Sequence, residues 1–553
     1  MATVPACNIA AFLPAAARDR PHALAIVCPH GRDRRGRRAY THLTYQQLDA
    51  WSDQIARGLH AHGLLPGTRA VLMVKPSLAF FALTFGLFKA GVVPVLVDPG
   101  LGIAQLKQCI GEAAPQAFIG IGKAHAARLL LGWGRATVRS VVSVDSPFGW
   151  GGITLDRLCA RADGAGPLLV QTAPTDMAAI LFTSGSTGPA KGVIYEHRHF
   201  VAQVELLRQM YGIAPGEVDL PTFPLFALFD PALGMTTVVP EMDFARPARV
   251  DPAMLAELIE DWGVTNVFGS PALLATVAAH GVPRGVQWST VRRVLSAGAP
   301  VPCQVLEAMH RILPADAEVF TPYGATESLP VASIGSREVL AETRALTERG
   351  AGVCVGRPAP GVVVRIVAIA DEALPNWSAV RELPVGAIGE ICVHSPTTTA
   401  AYFGRPGATE LAKIADGERI VHRMGDVGSF DAAGRLWYCG RKGHRVAWGA
   451  RTLHTAPVEE IFNVHKSLRR SALVGVRIDG QVEPVMCLEL HKGAAVRGPT
   501  LVTELQALAQ QHDTTRGLTR FIEHPGFPVD VRHNAKIGRE KLAVWAQRKL
   551  GPS

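Results

Sequence analysis

The sequence predicts an α/β protein with three parts: a large N-terminal domain of parallel α/β sheets, a small β-rich subdomain, and a small mobile α+β C-terminal domain. Three observations support this. Short β-branched runs alternate with longer helical patterns over the first 300 residues. Glycine-separated runs typical of antiparallel strands follow residue 350. The last stretch, 441–553, has strand and helix signals of its own.

The alternation is clearest near the N-terminus. A strand is predicted over 69–74, a helix over 77–90 and a second strand over 92–97. The same rhythm predicts further strands at 141–144, 178–182, 264–269 and 291–295. Strands at regular spacing between helices indicate a parallel sheet covered by helices.

The later runs, 362–367, 389–394 and 434–439, predict the β-rich subdomain. A hinge is expected at 440–443, where the sequence reads Gly-Arg-Lys-Gly. We therefore expect two domains, 1–440 and 441–553.

The composition fits a folded protein with large cores. Of the 553 residues, 48% are hydrophobic and 19% are charged, so the chain is too long for one core and too apolar for general disorder. The formal net charge is +9. Its basic clusters, at 32–38 and 532–541, are interpreted as solvated surface; the alternative, a nucleic-acid face, is not favoured.

The nine cysteines indicate a reducing compartment. They are scattered, odd in number and form no C-x-x-C pair, which argues against a zinc site or a disulfide framework. The N-terminus lacks a basic signal region. The most apolar stretch, 78–97, is interrupted by Lys89, Gly91 and Pro94 and is interpreted as a buried helix and strand. A cytoplasmic protein without a transmembrane segment is expected.

The most informative motif is 183–192, Thr-Ser-Gly-Ser-Thr-Gly-Pro-Ala-Lys-Gly, which follows a predicted strand. Its glycines let several N–H groups face one anion, while its hydroxyls and Lys191 add donors and charge. The spacing is not that of a Walker A loop. The motif therefore predicts a nucleotide-phosphate site of another kind; a flexible surface turn is the alternative.

Three further segments contain residues that could bind a nucleotide or take part in chemistry. In 320–328, Tyr323 offers a ring for stacking a base, Gly324 permits close backbone approach, and Glu327 offers oxygen to Mg²⁺; a helix start is the alternative. In 422–428, Asp426 lies between glycines and can accept hydrogen bonds from vicinal hydroxyls; an ordinary turn is the alternative. Near the C-terminus, Lys536 precedes Ile-Gly and a basic helix, and a solvated lysine is the alternative there.

Together and in this order, these motifs resemble the adenylate-forming superfamily of acyl-CoA synthetases, luciferases and peptide synthetase adenylation domains. The likeness runs from Leu43-Thr-Tyr to Leu542. It implies ATP and Mg²⁺ as cofactors. It also implies that Lys536, on a closing C-terminal domain, bridges the substrate carboxylate and the α-phosphate. Glu327 and Thr187 would hold Mg²⁺ and pyrophosphate, Asp426 the ribose with Arg441 beside it, and Tyr323 the adenine. The nucleotide site implied by the resemblance comprises Thr183, Ser184, Gly185, Ser186, Thr187, Gly188, Lys191, Gly298, Tyr323, Gly324, Thr326, Asp426 and Arg441.

Two departures narrow the resemblance. Ala227 stands where acyl-CoA synthetases often have a histidine, and Asp230-Pro231 replaces a glycine. The hinge reads Gly-Arg-Lys-Gly-His444-Arg-Val-Ala-Trp-Gly-Ala-Arg, without the usual acidic residue and Gly-Gly-Glu. These features resemble the branch of the superfamily that forms β-lactones in bacterial long-chain olefin synthesis.

That branch implies activation of a 2-alkyl-3-hydroxy fatty acid, with ring closure by the substrate's own β-hydroxyl. Phe223, Phe226 and Phe229, with Ala227, would line a pocket for two alkyl chains; core packing is the alternative. A long-chain acyl-CoA synthetase or acyl-AMP ligase is the second hypothesis, and a silent nucleotide-binding regulator the third. No residue stands out as a base for the hydroxyl. The resemblance also implies assembly with a reductase and a β-lactone decarboxylase.

Overall fold

The computed structural model describes residues 7–162, 164, 166–183, 190–529 and 537–550. Its strands and helices alternate as the sequence predicts, and they form two large sheets followed by a smaller C-terminal α+β unit. The α/β fold class is therefore confirmed.

The first sheet has seven strands. Its neighbours are parallel except for the last pair, which forms an antiparallel hairpin. In spatial order the strands are Ile153–Thr154, Ser140–Val144, Ala117–Ile121, Arg69–Met73, Val93–Val97, Met177–Thr183 and Lys191–Glu196.

The second sheet has fourteen strands. In spatial order they are Val363–Val367, Gly389–His394, Arg419–Phe430, Leu436–Arg441, Val353–Pro358, Ser328–Gly335, Glu318–Ala325, Arg293–Leu295, Asn266–Phe268, Val218–Pro221, Thr236–Val238, Leu24–Arg32 and Arg38–Thr44, with Lys413–Asp416 beside Arg419–Phe430. The run from Glu318–Ala325 to Leu24–Arg32 is parallel, and the other pairs are antiparallel.

The predicted β-rich subdomain does not have a sheet to itself. Its strands join the second sheet where Val353–Pro358 pairs with Ser328–Gly335. Backbone hydrogen bonds between these two strands satisfy groups that a separate edge would leave open. The parallel block and the antiparallel block therefore meet in one sheet, close to Glu327.

Helices cover the sheets. The helix predicted over 77–90 is one of them and begins after Ser77. The Ser77 side chain caps it by accepting a hydrogen bond from Phe80 N at 3.3 Å. The α-helices are Phe12–Asp19, Tyr45–Ala61, Leu78–Lys89, Ile103–Ala113, Gly122–Leu131, Leu155–Ala160, His197–Tyr211, Pro224–Ala227, Asp230–Leu233, Pro252–Trp262, Pro271–Gly281, Cys303–Met309, Ser336–Glu338, Arg344–Leu346, Pro406–Ala412, Thr455–Asn463, Gly498–Gln510 and Arg539–Leu550. No helix within the described ranges is long and apolar enough to cross a membrane.

One hydrophobic core joins the two large sheets. It contains Ile119 and Ala179 from the first sheet and Phe268 and Leu295 from the second. Burying apolar side chains from both sheets in one core holds the two sheets as a unit.

All nine cysteines lie in the described part of the chain and carry free thiols, as the sequence predicts.

The C-terminal unit contains the strands Leu468–Ile478, Gln481–Leu490 and Phe521–Glu523, and a hairpin of Val446–Trp448 and Arg451–Leu453. Its helix Thr455–Asn463 lies against the π-helical turn Thr347–Ala351. A Cβ at Gly350 would come within 2.8 Å of Ile461 Cδ1. The strand Leu436–Arg441 runs through the expected boundary at 440, which remains a prediction.

Candidate active site

The phosphate motif spans the connection between the paired strands Met177–Thr183 and Lys191–Glu196. Thr183 pairs with Lys191 at the base of the loop. The predicted ligands Ser184, Gly185, Ser186, Thr187 and Gly188 lie outside the described residues. The Lys191 ammonium lies 4.8 Å from the centre of the Tyr402 ring. The hairpin therefore delivers one cation to the loop base, in contact with an aromatic side chain.

The outer edge of this hairpin is covered by the segment 401–403. Ile194 N donates to Ala401 O at 3.3 Å, and Phe403 N donates to Gly192 O at 2.7 Å. These bonds fix Tyr402 opposite Val193. Tyr402 is thereby carried from the second half of the chain to the phosphate hairpin.

Glu327 lies in the turn between the antiparallel strands Glu318–Ala325 and Ser328–Gly335. The alternative interpretation, a residue at the start of a helix, is therefore wrong. Glu327 Oε1 accepts a hydrogen bond from the Tyr402 hydroxyl at 2.6 Å. Its backbone carbonyl accepts from Thr399 N at 2.9 Å and from Thr399 Oγ1 at 3.1 Å. The preceding carbonyl, Thr326 O, accepts from the Tyr195 hydroxyl at 2.5 Å. Backbone and carboxylate are therefore held separately.

A buried lysine, Lys413, is influenced by the charge of this carboxylate. Lys413 Nζ donates to the Thr399 carbonyl at 2.5 Å, and burial lowers the pKa of Lys413 to about 7, with Glu327 opposing that shift. His422 is paired with Lys413 across neighbouring strands. Burial, with Lys413 next, holds the pKa of His422 well below its usual range.

Asp426, Tyr323 and Arg441 meet at the other end of the site. Asp426 and Arg441 are paired across neighbouring strands, and Arg441 Nη1 lies 2.9 Å from Asp426 Oδ1. The Tyr323 hydroxyl donates to Asp426 Oδ2 at 2.7 Å. Burial, and then the Asp426 charge, raise the pKa of Tyr323 well above its usual value. The three predicted nucleoside ligands therefore form one charge-paired group around the buried Asp426 carboxylate.

The predicted glycines have distinct surroundings. A Cβ at Gly324 would lie 2.8 Å from Leu329 Cβ, so this position requires glycine for packing against the next strand. Gly298 has a φ of +98° just beyond the strand Arg293–Leu295, a conformation that favours glycine. Their contacts with a nucleotide remain predictions.

The predicted substrate residues belong to an aromatic row. Phe226 stacks on Phe268 at 4.0 Å between ring centroids and lies 6.5 Å from Phe229. Phe229 is 6.2 Å from Phe200, which stacks on Tyr195 at 4.7 Å. Phe223 lies 5.9 Å from Phe226, and Ala227 is buried. The three phenylalanines keep part of their surface exposed, and the row ends at the tyrosine that holds Thr326.

Lys536 lies outside the described residues, but the chain after it is firmly anchored. Arg539 forms two bonds with Glu459, Nη1 to Oε1 at 2.5 Å and Nη2 to Oε2 at 2.7 Å. His444, directly after the expected hinge at 440–443, pairs with Glu540 at 3.1 Å. The start of the helix Arg539–Leu550 is thus tied to the hinge and to the helix Thr455–Asn463.

Sequence reasoning missed Tyr195, Thr399, Tyr402 and Lys413. Only Lys413 left a trace, as a lysine beside apolar residues in a short strand pattern. Tyr402 follows a run of threonine and alanine with no charge to mark it. Its role depends on a contact with Glu327 across 75 positions of the chain.

The donor set fits a nucleotide with Mg²⁺. Protein-bound Mg²⁺ is usually held by one or two carboxylates together with substrate phosphates and water. Within the described residues no three His, Cys, Asp or Glu side chains cluster, so Glu327 and the phosphates would share the ion. The carboxylate of Asp426, the Arg441 guanidinium and the Tyr323 ring suit a nucleoside.

The fold and these paired groups define a nucleotide-dependent enzyme class. Residues 13–403 match the family model of AMP-binding enzymes, and the chain belongs to that family. The olefin beta-lactone synthetase of Xanthomonas campestris pv. campestris is 56% identical to it over 98% of both chains. The olefin beta-lactone synthetase of Stenotrophomonas maltophilia is 54% identical over 98% of this chain and 99% of its own.

Solved structures agree on the fold. The amide bond synthetase McbA from Marinactinospora thermotolerans has a TM-score of 0.79 at 25% identity, covering 97% of this chain and 99% of its own. The anthranilate CoA ligase AuaEII has a TM-score of 0.80 at 17% identity, covering 99% and 98%. Both span the N-terminal sheets and the C-terminal unit.

Proposed function

We propose that this chain is an ATP-dependent β-lactone synthetase acting on a long-chain 2-alkyl-3-hydroxy fatty acid. The observation that carries the proposal is the near-complete match, at 54% and 56% identity, to two enzymes named olefin beta-lactone synthetase. The substitution Ala227 and the altered hinge around His444 support the same reading.

In the first half-reaction a carboxylate oxygen attacks the α-phosphate of ATP, and pyrophosphate leaves. Both reactants are anions, so the site must neutralise them. Lys536 bridges the carboxylate and the α-phosphate. Asp426 accepts hydrogen bonds from the ribose hydroxyls while Arg441 balances its charge at 2.9 Å, and Tyr323 presents its ring to adenine. Mg²⁺, when bound by Glu327 and Thr187, supplies positive charge at the departing phosphates.

In the second half-reaction the β-hydroxyl oxygen attacks the acyl carbon of the adenylate. A four-membered ring closes, the acyl carbon–phosphate oxygen bond breaks, AMP leaves with the electron pair, and the hydroxyl proton is released. An internal nucleophile needs no second substrate, since proximity is built into the molecule. Phe223, Phe226 and Phe229 line the alkyl pocket beside Ala227. The same proposal places the enzyme in the cytoplasm. It also includes assembly with a reductase and a β-lactone decarboxylase of the same pathway.

The decisive experiment supplies ATP, Mg²⁺ and a syn-2-alkyl-3-hydroxy acid, with and without CoA, and identifies products by NMR. We expect β-lactone, AMP and pyrophosphate in both samples. A thioester formed only with CoA would instead identify an acyl-CoA synthetase. A stable adenylate without ring closure would identify an acyl-AMP ligase.

The variant Lys536→Ala tests the bridging role proposed for Lys536. We expect it to bind ATP normally and to release no pyrophosphate in the presence of the acid, because the two anions are no longer bridged. Release at the unchanged rate would contradict the role of Lys536. An absence of pyrophosphate release by the unmodified enzyme with every acid tried would favour a silent nucleotide-binding regulator.

A further inference from the structure

We propose that Tyr402 is a positioning residue that orients the Glu327 carboxylate and so sets the affinity of the site for Mg²⁺. The proposal rests on the proposed role of Glu327. Its basis is the short hydrogen bond from the Tyr402 hydroxyl to Glu327 Oε1, 2.6 Å between oxygens. A partner that fixes one oxygen of a metal-binding carboxylate directs the other toward the ion.

Tyr402 is itself held rigidly. Only 6% of the residue is exposed, its backbone N–H donates to Thr409 Oγ1 at 3.1 Å, and its backbone is bridged to Val193 of the phosphate hairpin. The backbone of Tyr402 is therefore held from two sides, by the helix Pro406–Ala412 and by the strand Lys191–Glu196. A hydroxyl fixed in this way costs little further entropy when it holds the carboxylate.

The same ring contacts the phosphate hairpin. The Lys191 ammonium lies 4.8 Å from its centroid, so one tyrosine touches both the cation at the loop base and the carboxylate expected to bind the metal. A negative ring face attracts the ammonium without neutralising it. Tyr402 thereby keeps Lys191 and Glu327 at a fixed separation, because its ring face contacts Lys191 and its hydroxyl contacts Glu327.

The backbone of Glu327 has other supports. Thr399 holds its carbonyl through N–H and hydroxyl, and Tyr195 holds the carbonyl of Thr326. Removing the Tyr402 hydroxyl therefore leaves the turn in place and releases only the carboxylate. This separation makes the role of the hydroxyl measurable.

The test is Tyr402→Phe in the full-length enzyme. Mn²⁺ is titrated in the presence of α,β-methylene ATP, and bound metal is followed by electron paramagnetic resonance. We expect the dissociation constant for Mn²⁺ to rise about tenfold, with ATP-analogue binding and the unfolding midpoint little changed. The Mg²⁺ concentration that half-saturates pyrophosphate release should rise in parallel, more than the maximal rate falls.

Tyr211→Phe is the matched control. It removes another buried tyrosine hydroxyl, which bonds Ser333 Oγ at 3.2 Å, and it should leave Mn²⁺ binding unchanged. Equal weakening in both variants would assign the effect to general loosening and overturn the proposal.

Glu327→Gln distinguishes the positioning role of Tyr402 from the metal-binding role of Glu327. If Glu327→Gln weakens Mn²⁺ binding and Tyr402→Phe does not, the positioning role fails and the metal role of Glu327 stands. If neither change affects Mn²⁺ binding, Glu327 is not a metal ligand and both assignments fall. In the expected case, the double variant binds Mn²⁺ no more weakly than Glu327→Gln alone.

Discussion

Asp426 shows how the fold orients a single side chain for the role proposed for it. The residue is 3% exposed, a position where an isolated carboxylate would be costly. Arg441 supplies the compensating charge, and Tyr323 supplies a hydroxyl donor. Neighbouring strands carry Asp426 and Arg441 in direct register, so sheet pairing sets their separation. The carboxylate is thus oriented before any nucleotide arrives.

Tyr323→Phe tests this orientation. Hydrogen bonds to charged groups contribute about 1.5–3 kcal/mol, so we expect the dissociation constant for ATP to rise about tenfold or more. Isothermal titration calorimetry without the acid substrate measures the change. Tyr40→Phe is the control, because it removes a tyrosine–aspartate hydrogen bond, to Asp261, in the edge strand Arg38–Thr44. Similar losses in both variants would contradict the assignment.

A buried pair of aspartates lies in the parallel part of the second sheet. Asp219 and Asp230 bond to each other; Asn266 donates to Asp219, and Thr237 donates to Asp230 Oδ2 at 2.9 Å. Burial raises the pKa of Asp219 to about 7, and burial with the Asp219 charge raises the pKa of Asp230 well above its usual value. The pair therefore holds a proton at pH values where exposed aspartates have none.

This pair makes stability depend on pH. A carboxyl whose folded pKa is raised stabilises the fold fully below its unfolded pKa, near 3.8, and the contribution is lost as pH rises through about 7. We expect the free energy of unfolding to fall between pH 5 and 8, by at most about 1.4 kcal/mol per pH unit for each proton. Asp230→Asn should flatten that fall, as measured by denaturant unfolding.

The control for this measurement is Asp513→Asn, whose carboxylate is 89% exposed. It should leave the pH slope unchanged. If Asp230→Asn also follows the slope of the unmodified protein, the acid pair does not cause the pH dependence.

At the level of elements, local signals predicted much of the N-terminal part. The helix Leu78–Lys89 and the strands Arg69–Met73 and Val93–Val97 lie within two residues of their expected ends. Ser77 marked the helix start, and continuous apolar runs marked buried parallel strands. These features depend on neighbours in sequence, so a single chain reveals them.

Pairing between distant strands was not predictable. Nothing in Val353–Pro358 shows that it adds to Ser328–Gly335 and not to a separate sheet, because its register depends on packing far along the chain. Tyr402 was missed for the same reason. Its contact with Glu327 exists only once the hairpin and segment 401–403 have come together.

Gly440 allows a strand and a helix to approach closely at the expected hinge. Its φ is +130°, and a Cβ there would lie 2.2 Å from the Oγ1 of Thr455, the first residue of the helix Thr455–Asn463. We expect Gly440→Ala to destabilise the protein by about 1–3 kcal/mol and to expose the chain near 441–446 to proteases. Thermal unfolding and limited proteolysis measure the two effects.

Gly434→Ala is the matched control for Gly440→Ala. Gly434 also has a positive φ, +73°, but a Cβ there would meet no atom within 4 Å. The control separates backbone strain from the clash with Thr455. An equal loss of stability in both variants would show that the clash contributes nothing.

At the scale of the whole molecule, the role proposed for Lys536 requires this residue to reach a site built by the N-terminal sheets. Arg539, three residues further on, grips Glu459 with both ends of its guanidinium. A lysine cannot reproduce this two-bond grip. We expect Arg539→Lys to slow acid-dependent pyrophosphate release ~10- to 100-fold, because small misplacements of a reacting group are costly, while ATP binding stays unchanged.

Arg516→Lys is the control for this variant. Arg516 pairs with Asp513 in the same unit, but both side chains are largely exposed, and such pairs contribute little. Stopped-flow measurement of pyrophosphate release compares the variants. If Arg539→Lys retains the full rate, the grip on Glu459 does not serve the placement of Lys536.

The aromatic row from Phe268 to Tyr195 also bears on engineering of the enzyme. Phe268 and Phe223 stand at the far end, whereas Phe200 stacks on the tyrosine whose hydroxyl supports Thr326 beside Glu327. Changes that enlarge the proposed alkyl pocket to admit longer or branched chains are therefore best begun at Phe268 or Phe223. The same change at Phe200 would also disturb Tyr195 and the turn that carries Glu327. Selection for a longer chain would then change turnover as well.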